Sequence, residues 1–168
     1  MNKPSSPHAK TALITPEGMQ MLKDELEHIW RNKRPEITKK VSWAASLGDR
    51  SENADYQYNK KLLRETDRRI RYLTKRIEAL RAVPYSPEQE GKVYFGAWVT
   101  IESEQGEEQK FRVVGPDEIY DRSDYISVDS PMARALLSKA IDEEAVVQAP
   151  GGDVLWFVTS IRYEPYKS

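Results

Sequence analysis

The hydrophobic period of the chain changes once, around Pro84, Ser86, Pro87 and Gly91. Before that point apolar residues recur at spacings of three and four; after it they alternate. A period near 3.6 belongs to helices and a period of two to half-buried strands, so the chain has to build two differently constructed halves. From 15 to 45, Met19, Leu22, Leu26, Ile29, Ile37, Val41 and Ala44 share one helical face, which predicts a long helix bent at Pro35, whose ring removes a backbone donor. Thr15 and Pro16 suit its N-cap and first helical position. From 54 to 83, Tyr58, Leu62, Thr66, Ile70, Leu73, Ile77 and Leu80 define a second face. The short connection between them predicts an antiparallel coiled coil, with Leu26 level with Arg76 and Ile77, and Leu22 level with Leu80. At ~1.5 Å per residue, such an arm is about 45 Å long. Gly48 fits a helix C′ position at its tip.

Beyond the linker, Val93, Phe95, Ala97, Val99 and Ile101 alternate with polar or aromatic residues. Residues 111–114 and 125–128 read as short strands, and Gly151-Gly152 separates 145–149 from 154–163 in a hairpin pattern. One helix opens at Ser130-Pro131, with Met132, Ala135, Leu136 and Ala140 as its apolar side. The expected fold class is α+β: a flexible tail at 1–10, a long antiparallel coiled coil at 11–84 with an acidic tip at 48–55, a linker at 85–91, and a compact α+β domain at 92–168.

Charge divides the halves as well. Residues 1–84 carry 18 Lys and Arg against 11 Asp and Glu, a net +7; residues 85–168 carry 8 against 16, a net −8, which together give the chain's −1. A basic half favours a polyanion, and an acidic half favours a basic protein surface or solubility. The absence of cysteine excludes disulfides, thiolate zinc sites and a Cys nucleophile, and fits a reducing compartment. The first residues lack the apolar run of a signal peptide and no window approaches a membrane span, so a cytoplasmic protein is expected.

Two constellations carry chemistry. The turn SLGDRSENADYQY, 46–58, holds Asp49, Glu52 and Asp55. Asp49 with Glu52 three positions on fits a capping box, and acids near a helix N-terminus are favoured by its dipole. One cap needs only one carboxylate, however. The alternative is a Mg²⁺ site whose remaining oxygen ligands come from a partner, since two or three exposed carboxylates make a poor cage alone. The second constellation is basic: between Tyr56 and Arg81, nine Lys and Arg stand against three acids. Lys60, Arg64, Arg68, Arg71 and Lys75 fall within roughly an 80° arc at ~100° per residue, which reads as a phosphate-binding stripe or a solvated coiled-coil face. Only His8 and His28 are available as histidines, so an autonomous metallohydrolase or Ser/His/Asp site is not expected. Trp98 and Tyr94 face away from Val93, Phe95 and Val99, into a second core or a docking patch.

Four stretches then carry a resemblance: LGDRSENADYQYNKK (47–61), DRRIRYLTKRIEAL (67–80), QEGKVYFGAWV (89–99) and DYISVDSPMARALL (124–137). In this order they resemble the bacterial transcript-cleavage elongation factors of the Gre family, GreB type, over about 11–163. The resemblance implies an N-terminal coiled coil and an FKBP-like C-terminal domain that docks on bacterial RNA polymerase while the coiled coil enters its secondary channel. It implies a cofactor rather than an enzyme, one that stimulates Mg²⁺-dependent cleavage of backtracked nascent RNA by the polymerase. Asp49 and Glu52 would be the tip acids sharing Mg²⁺ only in complex with polymerase, with no metal held stably alone, and Asp55 would have a weaker role. Lys60, Lys61, Arg64, Arg68, Arg69, Arg71 and Lys75 would guide the RNA 3′ end; Leu62 stands where close relatives would carry another basic residue. Asp129, Ser130, Pro131 and Met132 would form the docking loop. A monomer with no membrane partner is expected. The alternatives are a channel-binding polymerase regulator that does not stimulate cleavage, a peptidyl-prolyl isomerase and a generic nucleic-acid-binding coiled coil.

Overall fold

The structure, a computed structural model, describes residues 11–49 and 52–164; the expected tail at 1–10, with His8, lies outside the described residues. These fall into two compact units, Met19–Leu80 and, among the described residues, 11–18 with 81–164.

The first unit is a helical hairpin built from α1 (Pro16–His28), α2 (Arg34–Ala45) and α3 (Ala54–Ala79). Ahead of Pro35, where a bend was expected, a π turn, Ile29–Lys33, joins α1 to α2, and in it the Arg34 N–H bonds the Ile29 carbonyl five residues back. Pro35 has no N–H to donate and its ring would crowd the carbonyl four residues before it, so widening the helix just ahead of the ring accommodates both constraints. Close packing within the hairpin is concentrated between α2 and α3. Arg34 Nε donates to Asp67 Oδ1 across them at 2.7 Å. Glu25 reaches Arg69, well nearer the tip than the level predicted for α1.

The seam differs in one respect from its sequence reading. The buried positions are Asn59, Thr66 and Leu73 on α3 and Leu80 at its C-cap, a heptad series, with Ile29, Ile37 and Ala44 buried on the other arm. Tyr58, read as part of the apolar face, is 66% exposed, and Asn59 is buried instead. Asn59 Nδ2 donates to the Asp55 carbonyl at 2.8 Å and Thr66 Oγ1 to the Leu62 carbonyl at 2.8 Å, so both buried polar side chains are satisfied. On the α3 side the seam therefore passes from apolar at Leu80 and Leu73 to polar at Thr66 and Asn59, whose bonds stay within the helix.

The second unit carries a five-stranded sheet in the order β5 (Tyr125–Ser127), β4 (Glu108–Val114), β3 (Trp98–Ser103), β7 (Gly152–Arg162), β6 (Glu144–Ala149), antiparallel except for the parallel β4–β5 pair. Helix α4 (Pro131–Leu136) packs Ala133 and Leu136 on a core that includes Val99, Ile101, Phe111, Val113, Trp156 and Val158. The alternation at 93–97 is not strand: Gly96 adopts φ 90° in a turn whose N–H bonds the Val113 carbonyl at 2.7 Å. Val93 and Ala97 are nevertheless fully buried, so alternation reported burial correctly and backbone form incorrectly. Helix α4 also stops before Ala140, which pairs with Lys92 as an isolated bridge.

A two-residue strand, β1 (Leu13–Ile14), pairs in parallel with β2 (Arg81–Ala82), so residues 11–18 join the sheet unit. Their anchor is Glu118, which accepts from Thr15 N at 3.0 Å, from Gly115 N at 2.8 Å and from the Thr15 hydroxyl. Thr15 is the expected N-cap, accepting from Gly18 N at 3.1 Å. Burial raises the Glu118 pKa, and its hydrogen bonds with Thr15 and Gly115 offset only part of that effect. An acid raised on folding binds more protons in the native than in the unfolded state. Its contribution is therefore complete below the unfolded value, about 4.3, and declines as pH rises through the folded value. Glu118→Gln should accordingly gain stability relative to wild type as pH rises from about 4 to about 7. Urea midpoints of the two proteins across that range test this, and a pH-independent difference would contradict it. Among the described residues no helix is long and apolar enough to cross a membrane.

Candidate functional site

Helix α2 ends at Ala45, where Ser46 N donates to Ser42 O and Trp43 O, and Leu47 N donates to Ala44 O at 3.1 Å. Gly48 has φ 131° and lies beyond the C′ position expected for it, because Ser46 is the C-cap. The α3 N-cap is Asn53: its Oδ1 accepts from Tyr56 N at 3.1 Å, and its Nδ2 donates to Ala44 O at 2.6 Å. One side chain thus satisfies an orphan donor of α3 and adds a bond to a carbonyl in the last turn of α2, closing the hairpin. The capping-box reading of Asp49 and Glu52 is therefore incorrect. The amide of Asn53 can both donate and accept in this position, whereas a carboxylate can only accept. Replacing Asn53 with Ala should cost about 1–2 kcal/mol by loosening the turn. Thermal melts check this, and Asn53→Asp, which restores the acceptor alone, should fall between the two.

With the cap assigned to Asn53, Asp49, Glu52 and Asp55 are exposed carboxylates around the turn, Asp55 lying in the first turn of α3. No group of three or more His, Cys, Asp or Glu among the described residues is arranged to hold a metal ion. The hard oxygen donors suit Mg²⁺ in kind, but they suit only a site completed from elsewhere.

The basic stripe is resolved into different roles. Lys61, Arg64, Arg68, Arg71 and Lys75 are exposed along α3, while Lys60 is half-buried with its Nζ 6.0 Å from the centre of the Tyr56 ring. Arg69 differs. Its Nε and one terminal nitrogen donate to the two Glu25 oxygens at 2.9 and 3.0 Å, and its guanidinium lies 5.4 Å from the Tyr72 ring centre. Arg69 lies on the flank of α3 nearest the seam rather than within the solvent-facing arc, which is why it finds a partner on α1. His28 is also on the hairpin, its ring nitrogen 3.1 Å from Asn32 Nδ2.

In the sheet unit, Asp129 accepts from Thr11 N at 2.9 Å and from the Thr11 hydroxyl. Ser130 caps α4 by accepting from Ala133 N at 3.2 Å, Pro131 opens the helix, and Met132 packs against the core. All four proposed docking residues therefore also have structural tasks. Trp98 resolves into a cross-strand row, Arg162–Trp98–Arg112–Tyr125, in register through β7, β3, β4 and β5. Arg112 is 6% exposed and its Nε donates to the Gly96 carbonyl at 3.0 Å. Sequence reasoning did not find Asn53, Asn59, Glu25 or Glu118. For Asn53 the signal was present, an Asx residue directly before a helical run, but the neighbouring acids overshadowed it.

Two family models match in sequence: the transcription elongation factor N-terminal domain over residues 12–81, and the GreA/GreB transcription elongation factor C-terminal domain over 88–163. Transcription elongation factor GreB of Pseudomonas putida is 69% identical over 153 residues, covering 91% of this chain and 94% of the relative. Transcription elongation factor GreB of Pseudomonas syringae is 68% identical, covering 92% and 98%, and that of Vibrio cholerae 65%, covering 92% and 97%. The helical hairpin followed by an α+β sheet unit, and a likeness that spans both, place the chain in the GreA/GreB family of transcription elongation factors, where it belongs to the GreB type.

Proposed function

We propose that the acidic turn is a delivered half-site, carried on the hairpin into an active centre that supplies the remaining ligands. The protein is a transcription elongation factor that stimulates transcript cleavage by RNA polymerase, and the cleavage activity is the polymerase's own. The observation that carries the half-site reading is the cap: Asn53 closes the turn, so the carboxylates of Asp49 and Glu52 are not needed to start α3.

Asp49 and Glu52 would hold Mg²⁺ jointly with polymerase carboxylates and substrate phosphate. When bound there, the ion would supply charge stabilisation and activation of the attacking water in phosphodiester hydrolysis. The chain's own residues position that chemistry. Asn53 fixes the turn, and buried Asn59 is hydrogen-bonded within α3 to the Asp55 carbonyl in the helix's first turn. Asp55 adds negative charge at the α3 N-terminus, where the helix dipole favours it. Arg64, Arg68, Arg71 and Lys75 would hold the backbone of extruded RNA by phosphate contacts, which are independent of sequence. Asp129, Ser130 and Pro131 would present the polymerase-docking surface at the start of α4, with Met132 supporting them from the core side.

The direct test is a backtracked RNA polymerase complex with end-labelled RNA. Addition of the protein should accelerate release of the 3′ fragment, and no acceleration would overturn the reading. Neutralising Arg64 and Arg68 together should lower activity mostly on long extruded RNA and reduce the logarithmic salt slope by about 1–2. Equal losses on short and long extrusions would remove the stripe from RNA guidance.

A further inference from the structure

Tyr72, Glu65, Arg68 and Arg69 line a shallow depression of about 340 Å³ on α3. Their spacings of three, four and seven place them on one face of the helix. Arg69 is held by both Glu25 oxygens, which occupies the guanidinium edge that would otherwise bind a phosphate. The same arrangement sets its positive charge near the Tyr72 ring. Glu65 adds a carboxylate to the wall, which opposes a phosphate there. The depression is therefore close to neutral, with the aromatic residue Tyr72 40% exposed, and Arg68 beside it is exposed on the stripe.

We propose that this depression is a base-stacking subsite for single-stranded RNA: one nucleobase packs on the exposed part of Tyr72 and on the guanidinium plane of Arg69, while Arg68 takes an adjoining phosphate. This rests on the reading of the stripe as an RNA guide and adds a contact that phosphate binding alone does not supply. A neutral, flat base fits where the paired Arg69 and Glu65 disfavour a phosphate. Arginine and tyrosine planes both stack on any base, so the subsite grips without reading sequence. Glu25 is its positioning residue, holding the Arg69 plane in place through the bidentate pair.

The experiment uses the full chain and two fluorescently labelled oligomers of equal length, a single-stranded RNA and the corresponding abasic ribose-phosphate chain, titrated at low salt. Wild type should bind the RNA more tightly. Tyr72→Ala should weaken RNA binding by roughly five- to tenfold and leave abasic binding unchanged, a size typical of losing one stacked base. Tyr72→Phe, which keeps the ring, should match wild type, and Arg68→Ala should weaken both oligomers alike. Glu25→Gln should lower RNA binding more than abasic binding. Wild-type indifference to the bases, or a Tyr72→Ala loss that is absent or equal for both oligomers, overturns the subsite. Fragment release from the backtracked complex is scored separately, so failure of the subsite leaves the cleavage result standing and failure of the delivered half-site is seen without it.

Discussion

Replacing Asp49 and Glu52 together with Ala should lower stimulated cleavage by roughly two to three orders of magnitude, the scale lost when preorganised charge is removed from a phosphoryl or acyl transition state. Binding to polymerase should stay nearly unchanged. Neither side chain serves as the α3 N-cap, since Asn53 does so, and both are exposed. Because the Asn53 cap stays in place, their removal should destabilise the hairpin less than Asn53→Ala does. Cleavage at saturating protein, with affinity measured in parallel, separates the two effects. Equal loss of binding and cleavage would mean that the acids serve docking rather than chemistry.

The second large effect lies in the sheet unit. A Cβ added at Gly115 would stand 2.0 Å from the Leu13 carbonyl oxygen and 3.2 Å from a Glu118 oxygen. The first of these is backbone and belongs to β1, so relief requires moving the strand that Glu118 anchors through Thr15. Gly115→Ala should cost about 3 kcal/mol and lower the melting temperature of this unit by about 12–24 °C. Tryptophan fluorescence during thermal unfolding would follow the change. Gly151→Ala, where an added Cβ meets nothing within 4 Å, is the matched control and should behave as wild type.

These two sites also show where sequence reasoning succeeds and where it stops. The hairpin was legible because Ile29, Ile37 and Ala44 on one arm and Thr66, Leu73 and Leu80 on the other are buried at helical spacings, a local property of the chain. The alternation from Val93 to Ile101 reported burial but hid a turn, because Gly96 permits a positive φ that periodicity does not register. Thr15 was legible as a cap. Its second bond, to Glu118, joins residues 103 apart and has no local trace.

At the tip, the acids were evident from composition, but the cap was assigned to the wrong residue. Asp and Asn are equally good N-caps by propensity; only Asn can also donate to the far arm, and that requirement arises from the fold rather than from the helix alone. The basic residues were likewise grouped by charge, yet Arg69 is paired with Glu25 across the hairpin while Arg68, its neighbour in sequence, remains on the exposed stripe. Sequence gave their number and spacing along α3. It did not give the partner on α1, which lies 44 residues away in sequence.

The most direct measurement of the delivered half-site is the Mg²⁺ dependence of cleavage by a backtracked RNA polymerase complex at saturating protein. Wild type should reach half-maximal cleavage at a lower Mg²⁺ concentration than polymerase alone, and the Asp49→Ala/Glu52→Ala protein should return that concentration to the polymerase-alone value while still binding. Identical Mg²⁺ requirements for the wild-type and doubly substituted proteins would contradict a shared metal site and leave the tip acids without the role proposed for them.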